Sequence, residues 1–346
     1  APKALEAVAG IHADAWLPEF SSRPLRSRLQ QLPLDTPGEA AGPTQGKVAL
    51  FATCYMNRNE PGPGEDLAAV FNHNGIPVTL AEKERCCGMP KLELGDLESV
   101  KAAKEVNIPG LAKLVDAGWD LTALVPSCVL MFKQELPLMF PDDADVQKVK
   151  NAFYDPFEYL MLRHKEGKLQ TDFKSPLGKV SYHAACHQRV QNIGPKTKEA
   201  LSLVPGTEVD IIERCSGHDG TYAVKQEFHE FAVKIVKPVV KRVNEAQPDH
   251  YGSDCAMAGH HIGHVRADGG SIWARQSRST FAASKGADNA THRPVFCATT
   301  HTSCTAPLAG SNRSACPSSR RAVSSSTSVP GWGGSADEVC RLPISP

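Results

Sequence analysis

"KVALFATCYMN", residues 47–57, and "KVSYHAACHQRVQ", residues 179–191, decide how this chain folds. Each is an apolar run of strand length that ends in a polar turn holding a cysteine, Cys54 in one and Cys186 in the other. After the first, "EDLAAVFNHNG" puts Leu67, Val70 and Phe71 on one helical face before a glycine stop. "IPVTLAEK" then reads as a second strand, delivering the chain to Cys86 and Cys87 in "RCCGMP". A longer helical region is expected over roughly 96–118, interrupted at "NIPG", and "DLTALVPSC" is a third strand ending at Cys128. Strands alternating with helices predict an α/β fold with mostly parallel sheets. The cysteines then fall at the loop ends, where open α/β sheets place their sites.

The second half repeats this order. "VDIIERCSGHDG" (209–220) echoes "VTLAEKERCCGMP", with Cys215 and Ser216 standing for Cys86 and Cys87. "AQPDHYGSDCAMA" (246–258) echoes "WDLTALVPSCVLM", with Cys255 standing for Cys128. Thirty-one residues separate Cys54 from Cys86, against twenty-eight between Cys186 and Cys215. Forty separate Cys87 from Cys128, against thirty-eight between Ser216 and Cys255. Three matched stations in one order point to a duplicated unit. The expected organisation is an N-terminal helix and Pro-rich linker over 1–46, a first module over 47–150, a helical linker over 151–177 around "DPFEYLMLRHKEG", and a second module over 178–264. Residues 265–346 are rich in Ser, Arg, Ala, Thr and Gly without apolar period, and are expected to be a disordered, low-complexity tail that suggests a frameshifted reading. Cys297, Cys304, Cys316 and Cys340 lie in it without ligand-like spacing.

The 346 residues suffice for a buried core, and 38 basic residues balance 38 acidic ones. That balance argues against a nucleic-acid partner. No apolar run approaches the ~20 residues of a membrane-spanning helix, so membrane contact is expected only through partners. The start has no initiator Met and no secretory hydrophobic core. Eleven cysteines without such a leader favour metal or redox chemistry over structural disulfides. No GxGxxG, Walker A or GxSxG phrase supports nucleotide or serine-hydrolase chemistry.

Four thiols meeting at one sheet edge, Cys54, Cys86, Cys87 and Cys128, suit a thiophilic centre, either iron–sulfur or zinc. Gly88 suits the tight bend beside it, and Pro90 limits the turn that follows. The competing reading of any one of them is a small buried hydrophobe. A second site would gather Cys186, Cys215 and Cys255, with Ser216 in the fourth place. His187, His218 or a solvent oxygen could complete it, or it could hold zinc or nothing. His183 and His187 in "HAACH" fit a locally hydrogen-bonded turn better than a zinc pair. His260, His261 and His264 lie beside Cys255 and could join the second site, but read better as exposed histidines at a helix start. Arg189 and Lys225 fall near the second-site cysteines.

"FATCYMN", "CCGMP", "PSC", "YHAACH" and "SDC", spread over roughly 47–264, resemble the twice-occurring cysteine-rich CCG domain. That domain is found in the heterodisulfide reductases and in the iron–sulfur subunits of anaerobic glycerol-3-phosphate, lactate and glycolate oxidation. "CSGHDGTYAVK" resembles most the glycerol-3-phosphate dehydrogenase group. The resemblance implies an iron–sulfur electron-transfer subunit passing electrons from a flavin dehydrogenase to a quinone or disulfide acceptor. It implies clusters held by Cys54, Cys86, Cys87, Cys128, Cys186, Cys215 and Cys255, with a 4Fe-4S type at the first site. It also implies a missing ferredoxin-like domain ahead of residue 1 and a cytoplasmic place, peripheral at the inner face of the membrane. The sequence departs from the family's closing CXXC, because each module keeps only its first cysteine (Cys128, Cys255). A zinc-stapled, non-redox scaffold is the alternative, and a Cys86–Cys87 dithiol enzyme ranks last.

Overall fold

The computed structural model describes residues 2–29, 38–82, 84–173, 175–267 and 300–302. Two short helices, α1 (Pro2–Ala9) and α2 (Leu25–Leu29), precede the first sheet. Its central strand β1 (Val48–Leu50) leads through α3 (Cys54–Arg58) and α4 (Gly62–His73) to β2 (Val78–Leu80). The chain continues through α5 (Met89–Leu92) and α6 (Leu97–Asp116) to β3 (Asp120–Thr122). Then come α7 (Pro126–Leu130), a π-helical turn over Met131–Glu135, α8 (Leu136–Met139), α9 (Ala144–Ala152) and β4 (Phe153–Tyr154). The sheet order is β2-β1-β3-β4, all parallel, with Val48 opposite Val78 on one side and Asp120 on the other. All three residues of β1 are buried, as expected of a strand covered on both faces.

Helix α6 runs unbroken through "NIPG", where an interruption was expected. Proline inside a helix removes a hydrogen bond and costs ~3 kcal/mol. Here Pro109 sits on the exposed face, where water can serve the freed carbonyl, while Asn107, Ile108 and Leu111 face inward. The stretch read as a helical linker does more than connect. Phe153 and Tyr154 form the fourth strand, and α10 (Pro156–Lys165) starts at a capping box made by Asp155 and Glu158.

The second module repeats the plan: β5 (Gly178–His183), α11 (Cys186–Arg189), α12 (Lys196–Leu201), β6 (Thr207–Ile212), α13 (His229–Ala246), β7 (His250–Ser253) and α14 (Ala256–Ala267). Strand β5 lies parallel between β6 and β7, so the order of the first three strands matches the first sheet. Helix α14 continues three residues past the expected module end. Residues Thr300–Thr302, in the stretch expected to be unpatterned, form β8 antiparallel to β7. The rest of the expected tail, with its four cysteines, lies outside the described residues.

The first module's core joins Val48, Leu50, Phe51, Phe71, Leu121, Phe132 and Tyr159, and also takes in Leu25 of α2 and Ala256 of α14. A second core packs α13 and α14 on the other sheet through Val236, Val239, Val240, Val243 and Ile262. The N-terminal segment crosses both modules. His12 N–H donates to Val224 O at 2.9 Å, and Gly10 O accepts from Gln226 N–H at 2.8 Å. Trp16 stacks on His260 at 4.4 Å, and further on Ser21 N–H reaches Arg58 O at 2.7 Å.

Candidate metal centre

The strand order makes β1 the turning point of the first sheet, since β2 lies to one side and β3 to the other. Chains leaving neighbouring strands there part and open a crevice beyond their C-terminal ends. The four first-module cysteines come from these exits. Cys54 opens α3, just after Thr53, whose hydroxyl accepts from Met56 N–H at 3.1 Å. Thr53 has φ 59°, uncommon for a β-branched residue, so the backbone is strained at the site's edge. Cys86 and Cys87 lie in the loop after β2, and Cys128 lies in α7.

Their thiols form a connected chain. Cys54 donates to the Cys86 sulfur, and Cys87 reaches both Cys86 and Cys128. Hydrogen bonds from Cys54 and Cys87 hold the Cys86 thiol down to about 2, and Gly88 N–H and Lys91 assist against burial. The Cys54 thiol is pushed up by the Cys86 contact and then by burial. Cys87, 3 % exposed, is raised by its contacts with Cys128 and Cys86 and by burial. None of the seven described cysteines is in a disulfide. Among the described residues, no three His, Cys, Asp or Glu side chains are grouped so as to hold a single metal ion.

Three side chains brace the cysteine loops, and sequence reasoning missed them all. Glu84 accepts from Ala52 N–H at 2.7 Å, tying the exit of β1 to that of β2, and pairs with Arg26 at 3.1 Å. Arg26 also donates to Ala81 O. Asn107, buried in α6, accepts from Arg85 N–H at 2.8 Å and donates to Cys86 O at 3.2 Å. No local signal marked Asn107, because "NIPG" reads as an interruption and its burial against the loop is visible only in the fold. Gly88 turns the loop with φ 106°; a Cβ there would lie 3.2 Å from Met131 Cε.

In the second module, Cys186 opens α11, Cys215 lies in the loop after β6, and Cys255 immediately precedes α14. The Cys215 thiol meets the Cys186 sulfur and holds the Cys186 thiol down to about 5, helped by Arg189. Burial pushes Cys255 up to about 11, although Ala258 and Met257 N–H groups point at its sulfur. Arg189 Nη2 donates to Cys186 Sγ at 3.6 Å, whereas Lys225 lies over the Phe228 ring. His183 is fully engaged: its ring nitrogens lie 2.9 Å from Ser253 Oγ and 2.8 Å from Arg214 O. The sequence reading of a locally bonded turn histidine is corrected: His183 ends strand β5, and its partners come from the exits of the two neighbouring strands, 70 and 31 residues away. His187 is 3.5 Å from Glu93, and His218 faces His261 at 6.1 Å between ring centroids. The "HHIGH" histidines are not simply exposed: His261 is 3 % exposed, and His260 bonds Glu60 at 3.0 Å. They lie in the middle of α14 rather than at its start: His260 reaches Glu60 across the joint between modules, His261 faces His218 of the second module, and His264 bonds Asp14 O at 2.7 Å. Tyr55, next to Cys54, spans that joint; burial, Glu60 and then Cys255 raise its phenol.

The family model of the cysteine-rich domain named CCG matches residues 48–133 and 180–262, the two modules in turn. The chain belongs to this CCG cysteine-rich family. It is 30% identical over 219 residues to lactate utilization protein A 2 of Bacillus mycoides (strain KBAB4), covering 60% of this chain and 87% of that one. To lactate utilization protein A of Bacillus cytotoxicus it is 29% identical over 218 residues, with the same two coverages. To a subunit of the anaerobic glycerol-3-phosphate dehydrogenase of Escherichia coli (strain K12) it is 29% identical over 211 residues, 60% of this chain and 52% of that one. The chain therefore spans about half the length of that relative.

Proposed function

We propose that this chain is an iron–sulfur electron carrier whose centre is held by Cys54, Cys86, Cys87 and Cys128. The observation that carries the reading is the convergence of four thiols, from three strand exits, at one sheet edge. The residues fit such a group. The donor set is all sulfur, which suits iron–sulfur chemistry. Backbone N–H groups of Tyr55 and Gly88 point at the sulfurs of Cys54 and Cys86. Such N–H···S bonds stabilise thiolate charge and tune a bound centre's potential. Bound there, a four-iron centre supplies reversible one-electron storage. Glu84 and Asn107 brace the loops that carry Cys54 and Cys86.

The relatives' names concern glycerol-3-phosphate dehydrogenation and lactate use, which supports a flavin dehydrogenase as donor. A quinone or a disulfide is the acceptor that completes the reading. No helix among the described residues is long and apolar enough to cross a membrane. Contact with a membrane, at its cytoplasmic face, then comes through the partner.

Anaerobic reconstitution followed by iron and acid-labile sulfide analysis and EPR tests this. The expected result is a brown protein with iron and sulfide in equal amounts, both lost in Cys54→Ala. A colourless protein binding stoichiometric zinc would replace the carrier with a zinc-stapled scaffold.

A further inference from the structure

The two modules differ where their sites should match. Ser216 replaces the thiol that Cys87 supplies, which removes one sulfur donor. Three residues after the first cysteine of each module, Asn57 in the first becomes Arg189 in the second. The guanidinium donates to the sulfur of Cys186, an exposed residue, at 3.6 Å, competing for the lone pair that would hold iron. Cys215 sits against the same sulfur, and Gly217 N–H donates to Cys215 Sγ at 3.4 Å. That loop is tightly seated: Gly217 has φ +70°, and a Cβ there would fall 2.3 Å from Ala232 O of α13.

From this geometry we infer that Cys186 and Cys215 form a peroxide-reactive thiol pair that closes into a reversible disulfide. A solvent-accessible cysteine beside a cation and a resolving thiol has the features of a redox-sensitive pair. The Cys186 thiolate attacks one oxygen of hydrogen peroxide; the O–O bond breaks, hydroxide leaves and a sulfenic acid forms. The Cys215 thiol then attacks that sulfur; the S–S bond forms, the S–O bond breaks and water leaves. Two thiols lose two electrons in all, and one peroxide becomes two waters once a proton neutralises the hydroxide. A small-molecule thiol in excess restores both cysteines by exchange. Cys255, with two N–H groups pointed at its sulfur, anchors the start of α14.

The test uses the reconstituted full chain. Iron is counted in wild type, Cys54→Ser and Cys186→Ser, and peptides are mapped without reductant after peroxide treatment. Cys186→Ser should keep wild-type iron while Cys54→Ser loses it, and wild type should yield a linked Cys186–Cys215 peptide that excess thiol removes. Arg189→Met should slow formation of that link about tenfold, by withdrawing the cation that stabilises the thiolate, and Arg189→Lys should restore part of the rate. Loss of iron in Cys186→Ser, absence of the linked peptide, or an unchanged rate in Arg189→Met each overturns the inference. A wild-type protein that takes up no iron overturns the carrier reading instead, and the peptide map then decides the thiol pair alone.

Discussion

Gly88 shows how narrow the choice of residue is beside the first thiol set. Its φ of 106° lies where a side chain is strained, and Met131 Cε closes the space a Cβ would need. Forcing an L-residue into left-handed backbone costs about 1–2 kcal/mol. Gly88→Ala should lower stability by about that amount in urea titration and reduce the iron retained per chain. Unchanged iron and stability would mean the loop has slack that the structure does not show. Gly88 was legible in the sequence because the demand is local: a glycine directly after two cysteines. Asn107 was not, although the Cys86 loop depends on it. Its partners, Arg85 N–H and Cys86 O, are about twenty residues away, and only the packing of α6 on the loop brings them together.

At the scale of elements, β1, β2 and β3 were legible from short apolar runs, continuous in β1 and β3 where every residue is buried, whereas β5, β6 and β7, mixed in burial and polarity, were legible from their echo of that order. Strand β4 was hidden: two residues, Phe153 and Tyr154, carry no periodicity of their own. Strand β3 starts with a buried charge, Asp120, whose Oδ2 accepts from Gln45 N–H at 2.7 Å and Tyr159 Oη–H at 2.9 Å. Burial pushes this carboxyl up to about 6, with those donors opposing. The folded state therefore holds a proton that the unfolded state releases near pH 4. The stability this carboxyl contributes is full at low pH and falls as pH rises from about 4 to about 6. The loss is on the order of 3 kcal/mol for a shift of this size. Asp120→Asn keeps an acceptor oxygen and removes the charge, so its stability relative to wild type should climb through that window and level off above it. Parallel pH profiles for the two proteins would refute the assignment.

For the whole molecule, duplication was readable from three matched cysteine stations, but the joint between the copies was not. It is made by contacts distant in sequence: Glu60 with His260, Tyr55 beside Cys255, Gln191 Nε2 donating to Pro126 O, and Ala256 in the first module's core. Nothing local in "HHIGH" announces a partner two hundred residues away. Because Ala256 and Leu25 share one core with β1, the modules should unfold together. Fluorescence of Trp119, in the first module, and of Trp16, stacked on α14, should report one coincident urea transition when each is followed in turn, the other tryptophans replaced by Phe. An earlier loss of the Trp16 signal would show that the second module melts alone.

The segment from Gly10 to Ser21 finds its places on Val224, Gln226, His260 and Arg58. During synthesis those positions emerge at very different times, and the helix that receives Trp16 leaves the ribosome some 240 residues after it. The earliest part of this stretch must therefore trail unanchored while the first sheet assembles. Anything fused ahead of it would ride on a loose tether until the second copy has closed.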